Sequence, residues 1–218
     1  WRTARGRARS RVALALPGSQ WVQPLHERAR NPYPALLRLA GAREVDGATV
    51  DPRSILGLRR DLRIALHFGA LSADRRPVTV AKAFASRHDW QLLMVGTPWA
   101  VPPVALPGNV TDTVRSLAFR AADVVVLSFR SGFDRNSGTL MDALSYGKPI
   151  LVSNPSYAAD LVSEYRVGAL YDCENEESLS MALDRLDLAA CTEPLATARA
   201  RLSNRAIAAA HVELLADL

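Results

Sequence analysis

The chain has 218 residues, and at ~150 residues per domain that length holds one well-packed α/β unit and falls short of two. Hydrophobic residues make up 49% and charged residues 22%, an ordinary globular balance that excludes a disordered chain. No run approaches the ~18 apolar residues that a membrane-spanning helix needs. Val12 to Leu16 is also too short for the apolar core of a signal peptide. Two cysteines, Cys173 and Cys191, argue against a disulfide framework and for a reducing compartment, so a cytoplasmic protein is expected.

The formal net charge is +5, and nearly all of the basic residues are arginine; Lys82 and Lys148 are the exceptions. Arg2, Arg5, Arg7, Arg9 and Arg11 crowd the amino end. The simple reading is a solvated chain end. The functional alternative is peripheral contact with the anionic inner face of a membrane. No nucleic-acid partner is expected.

Arg11 to Leu16 reads as a buried strand stopped by Pro17-Gly18, and 35–40 as a short helix after a proline-rich loop. Residues 51–61, with Asp51-Pro52 and Gly57, read as a linker. From Leu62 the pattern becomes regular. Strands are expected at 63–68, 91–95, 123–128, 149–152 and 168–171. Helices are expected at 78–87, 113–121, 139–146, 158–165 and 176–186, with a helical, alanine-rich tail over 191–218. Alternation with short connections predicts a parallel, doubly wound Rossmann-like sheet over 62–190. Ligands of such sheets bind beyond the carboxyl ends of the strands, so the residues just after each strand matter most.

The richest such stretch runs from Ser128 to Ile150. Asn136 and Ser137 are good N-cap residues, and Gly138 lets a ligand approach the first helical amides. That helix start suits a phosphate. Asp134 and Asp142 flank it, and two carboxylates would repel a phosphate, so they suit hydroxyl groups: a ribose diol and a sugar. Taken alone, either acid is an ordinary solvated residue. His67, near the end of a strand, reads as a packed core histidine before it reads as a catalyst. Neither cysteine has a second Cys or His at ligand spacing, so no metal is expected.

The run Asp134 to Asp142, two acids with seven residues between, followed by Ala143-Leu-Ser-Tyr-Gly-Lys-Pro-Ile150, resembles the donor-binding signature of GT-B glycosyltransferases, in particular the retaining GT4-like group. Arg120 to Ser128 and Gly168 to Leu186 are similar to the segments that flank it, so the resemblance covers about residues 62–186. It implies a transfer of sugar from a nucleotide diphosphate sugar to an acceptor hydroxyl, with retention and without metal. Asp142 would take the ribose hydroxyls, Asp134 the donor sugar, and the amides of Ser137, Gly138 and Thr139 the diphosphate, with Asn136 beside them.

The family's Gly-Arg-Leu and following lysine are represented by Gly69-Ala-Leu-Ser-Ala-Asp-Arg75-Arg76. Arg75 stands in for the lysine as the cation on the diphosphate, and Arg76 supports it. Residues 1–50 resemble an abbreviated or incomplete acceptor-side domain, whose glycine loop would be Gly18. The expected partners are a nucleotide sugar and a glycan, lipid-linked or small-molecule acceptor, with no separate cofactor. The competing expectations are a non-catalytic nucleotide-sugar-binding module that needs a partner subunit, and a flavodoxin-like regulatory domain. Against the latter stands the absence of an acidic cluster after the strand at 63–68.

Overall fold

A computed structural model of the chain describes residues 51–69, 72–96, 104–106, 110–135 and 137–203, with 206, 208, 209 and 212 beyond them. The expected elements at 11–16 and 35–40, together with Gly18 and Asn136, lie outside the described residues.

Six strands form one parallel sheet: β1 (Arg63–Phe68), β2 (Trp90–Val95), β3 (Val104–Leu106), β4 (Val124–Leu127), β5 (Ile150–Asn154) and β6 (Gly168–Asp172). Their order is β3-β2-β1-β4-β5-β6. The chain therefore winds outward twice from the centre, and the direction reverses between β1 and β4. At that reversal the two connections leave on opposite faces, which opens a crevice at the carboxyl edge.

The strands are apolar without alternation because both faces are covered. Val124 to Leu127 are all fully buried. Successive side chains still point to opposite faces. Ile64, Leu66, Val125 and Leu127 join one core with α3 (Asp112–Ala121), α4 (Gly138–Ser145), α5 (Tyr157–Tyr165) and α7 (Thr192–Arg201). Ala65, Val124 and Val126 join the other with α2 (Pro77–Ala85) and α6 (Glu176–Arg185). α3, α4, α5 and α6 start on side-chain caps, with Thr111, Ser137, Ser156 and Asn175 accepting from the Val114, Leu140, Ala159 and Ser178 amides. Each such cap contributes about 1 kcal/mol.

Three expectations about organisation are revised. Residues 51–61 are more than a linker: Pro52–Ile55 forms a helical turn, α1, and Leu56 and Leu58 enter the main core. Arg53 fastens this segment, donating to Ala121 O, Leu62 O and both oxygens of Asp123. Asp123 in turn accepts from the Ile64 amide at 2.6 Å, so the segment is tied to the start of β1. Second, a strand does stand between β2 and α3. It is three residues long and closed in by Pro102, Pro103 and Pro107, too short to show a period. Third, the tail is divided. Cys191, Leu195 and Ala198 are buried in the main core, and α7 ends at Arg201. Ser203 then accepts from the Ala206 amide, a local bond that interrupts the helix.

Arg53→Ala is expected to lower unfolding stability by about 2 kcal/mol, because it strips partners from partly buried oxygens. Arg59→Ala, which removes a solvent-screened exposed pair with Asp61, is expected to leave it almost unchanged. Urea denaturation of both variants checks the contrast.

Candidate functional site

The crevice between β1 and β4 is built around one cation. β1 ends at Phe68, and Gly69 follows with φ 133°, a backbone conformation that L side chains rarely adopt. A Cβ on Gly69 would also lie 3.0 Å from Arg75 Cζ. Glycine is needed there twice over, for the turn and for the approach of Arg75. The chain returns so that the Arg76 amide donates to Ser128 O at 2.9 Å and Arg75 bridges Phe129. This fixes Arg75 over the switch point.

The Arg75 guanidinium donates from Nη1 to Phe68 O at 3.1 Å and from Nη2 to Thr139 Oγ1 at 3.2 Å. It stacks over the Phe129 ring at 5.0 Å, and Phe129 stacks on Phe133 with centroids 4.2 Å apart. Burial pushes its pKa down to about 10, opposed by Asp74 beside it, so it stays charged at neutral pH. No carboxylate among the described residues lies within salt-bridge distance of it. Thr139 is in the first turn of α4, where the helix dipole is positive and the amides have no intrahelical acceptor. A cation held against that end is repelled by it until an anion enters between them. The geometry is that of an anion site.

Ser137 is the N-cap of α4, as expected, and its hydroxyl accepts from the Leu140 amide at 3.4 Å. Gly69, Arg75, Ser137, Gly138 and Thr139 are thus brought together. Arg76 is not: its guanidinium turns to Glu174 beyond β6 and to Ala73 O, away from α4. Asp142 lies one turn into α4 and faces α3, where Arg115 Nη1 sits 3.4 Å from both of its oxygens. Burial raises the Asp142 pKa, and Arg115 opposes that rise. Asp134 is exposed on the loop before α4 and makes no side-chain hydrogen bond among the described residues.

That loop is fastened on both sides. The Arg130 amide donates to Asp74 O at 2.8 Å, and its side chain pairs with the Asp74 carboxylate, as does Arg135. The Arg130 hydrogen bond holds the Asp74 carboxyl below its usual range, with Arg135 adding to the effect. On the other side the Gly132 amide donates to Pro155 O and the Tyr157 amide to Phe133 O. Asp74 and Arg115 were not singled out from the sequence. The partners that tie them to the site stand 27 to 61 residues away in the chain, and the local pair of Arg115 with Asp112 does not point to Asp142.

His67 is fully enclosed, with Nε2 3.0 Å from Ser128 Oγ. Burial, with the nearby Arg75 charge, pushes its pKa down to about 3. It is a neutral core residue, as the sequence reading preferred.

Fold and site together define a Rossmann-like α/β domain with an arginine held against a helix amino terminus at its switch point. The glycosyl transferases group 1 family matches residues 51–206, and the chain belongs to that family. Solved structures agree on the fold, which is of the GT-B type. Sucrose-phosphate synthase from Thermosynechococcus elongatus has TM-score 0.60 at 19% identity, covering 77% of this chain and 49% of that one. HepE of Anabaena in complex with UDP has TM-score 0.65 at 16% identity, covering 78% and 54%. An α,α-trehalose-phosphate synthase from Burkholderia xenovorans has TM-score 0.59 at 14% identity, covering 84% and 48%. This chain therefore spans about half the length of those proteins. A search of the curated proteins found no match. Among the described residues no helix is long and apolar enough to cross a membrane.

A neutral, buried His67 has a stability consequence of definite sign. The unfolded chain binds a proton near pH 6.5 and the folded one only near pH 3, so stability falls as pH drops through 6.5. Between pH 7 and pH 5 the loss from this group is about 2 kcal/mol at 1.36 kcal/mol per unit. Urea titrations at the two pH values are expected to show that difference shrinking by this amount in His67→Gln.

Proposed function

We propose that the described domain is the donor-binding half of a glycosyltransferase that moves a sugar from a nucleoside diphosphate sugar to an acceptor hydroxyl. The observation that carries the reading is Arg75, held against the positive end of α4 with no carboxylate among the described residues within salt-bridge distance. A diphosphate bridging the two satisfies both. Its charge grows as the sugar leaves, and a pre-placed cation and helix amides stabilise that growth without reorganising.

In this reading Arg75 meets the leaving diphosphate, and the amides of Gly138 and Thr139, with Ser137 at the cap, hold its oxygens. Gly69 gives the backbone clearance. Asp142 accepts from the ribose hydroxyls and Asp134, on the fastened loop, from the donor sugar. Arg76, engaged by Glu174, supports the loop rather than the ligand. Transfer without metal fits a leaving group whose charge is met by the protein itself, and retention is carried over from the resemblance to the GT4-like group. HepE, one of the structural neighbours, is described with UDP, which supports a nucleoside diphosphate as the ligand class. The acceptor is a glycan, lipid-linked or small-molecule hydroxyl, and the compartment is the cytoplasm or the inner membrane face.

Calorimetric titration of UDP, GDP, dTDP and ADP tests the reading. One of them is expected to bind in the micromolar range, with a loss of tenfold or more in Arg75→Met and a smaller loss in Arg75→Lys. Binding by none, or binding indifferent to Arg75, overturns it. Binding followed by no release of nucleoside diphosphate from the matching sugar donor would favour the binding-module alternative.

A further inference from the structure

A half-buried carboxylate can receive two neutral hydroxyls only while it is charged and correctly turned, because a protonated acid loses acceptor sites and becomes a donor. Asp142 is in that position, with its side chain 21% exposed. The group that answers its charge is Arg115 of α3, whose side chain is 12% exposed.

The contact has an unusual form. A fork between arginine and carboxylate sets two nitrogens on two oxygens at about 2.7–2.9 Å. Here a single nitrogen, Nη1, is shared at 3.4 Å by both Asp142 oxygens. Nη2 is held 3.0 Å from Asp112, one turn earlier on α3. Nε is buried and has no hydrogen-bond partner among the described residues. Arg115 is thus anchored by Asp112 and lends Asp142 its charge from a distance. That leaves most of the roughly four carboxylate lone-pair sites open to other donors.

We propose that Arg115, held by Asp112, is a positioning residue that presents the Asp142 carboxylate to the vicinal hydroxyls of a ribose, and so makes the site select ribonucleoside over 2′-deoxyribonucleoside diphosphates. The inference rests on the reading of Asp142 as the ribose acid. The surroundings agree with it. α3 contributes Arg115 and Asp112; the loop before α2 contributes Arg75, which touches Thr139 three residues earlier. α7 contributes Arg199, which lies near Gly147 past the far end of α4. Burial and Asp112 both work against the charge on Asp142, and Arg115 offsets them. With Arg115 gone the carboxylate is expected to take up its proton at higher pH. Affinity for the ribose form then begins to fall at higher pH than in the native protein.

The test is calorimetric titration of UDP, GDP and ADP, each beside its 2′-deoxy counterpart, between pH 5.5 and 8.5. The proteins are the native chain, Arg115→Met, Arg115→Gln, Arg115→Lys and Asp142→Asn, each checked by a thermal melt. For the nucleotide that binds, the native chain is expected to prefer the ribose form by about tenfold, and Asp142→Asn to have no preference. The two neutral variants are expected to lose the preference sooner than the native chain as pH falls toward 5.5, and to regain it toward pH 8.5. Arg115→Lys is expected to keep the native pH profile. Affinities for the 2′-deoxy forms, which keep only the 3′-hydroxyl, are expected to fall less than those for the ribose forms in Asp142→Asn and in the neutral Arg115 variants, which a general loss of structure would not allow.

A ribose preference lost in Asp142→Asn but unchanged in ratio and pH profile in whichever neutral Arg115 variant folds overturns this inference alone. A native chain that binds none of these nucleotides, nor dTDP, overturns the donor-site reading and this inference with it; one that binds dTDP but none of the ribose forms overturns this inference alone.

Discussion

The domain is arranged around the placement of Arg75 against the amino-terminal end of α4. Two positive features are held within hydrogen-bond distance, through Thr139, at the one place in the sheet where the winding reverses. That arrangement costs free energy in the empty site, and the surrounding structure sustains it. Gly69 removes the side chain that would collide with the guanidinium, Phe68 O accepts from it, and the Phe129 ring covers its face. Phe129 is itself backed by Phe133, and its amide donates to Ser153 Oγ at 2.7 Å. Each of these is a connection from another strand. The cation is therefore positioned by the whole carboxyl edge.

The same edge explains why Asp74 matters. Its carboxylate joins Arg130 and Arg135, and its carbonyl accepts from the Arg130 amide. The loop after β1 and the loop after β4 are thereby one unit. Arg75 rides on the first and Asp134 on the second. A movement of either loop relative to the other would break charge-assisted bonds, so the anion site and the exposed acid keep a common frame. Exposed pairs of this kind add little to stability singly. Here three contacts converge on one residue, and their effect is on geometry more than on folding free energy.

Much of this was legible in the chain. Val124 to Leu127 or Leu92 to Val95 can hardly be anything other than strands buried on both faces, and Gly96 marks the end of the second. The helix start at Ser137 was readable because capping depends on a local residue. The acids at 134 and 142 were readable as a pair through their surroundings. What was hidden has a common cause. α1 and β3 are too short for a period, and the core membership of Leu56 and Leu58 depends on Arg53 reaching Asp123, 70 residues on. Likewise the adjacent arginines Arg75 and Arg76 look equivalent in sequence, and a one-residue step sends them to opposite sides, one to α4 and one to Glu174.

The two charged groups that meet along α4, Arg75 from the loop before α2 and Asp142 of the helix itself, also stand in a definite order. Arg75 meets its first turn at Thr139, and Asp142 follows three residues later, a rise of about 4.5 Å at 1.5 Å per residue. A nucleoside diphosphate carries its charge and its hydroxyls in that same succession, phosphates first and ribose next. A helix that offers dipole and cation at its start, and a charged acceptor one turn deeper, reads both parts of such a ligand from a single rigid element. On the proposed reading the second part works only while Asp142 is ionised, and its charge is balanced from a neighbouring helix: a cation on α4 beside it would compete with the ribose for the same oxygens.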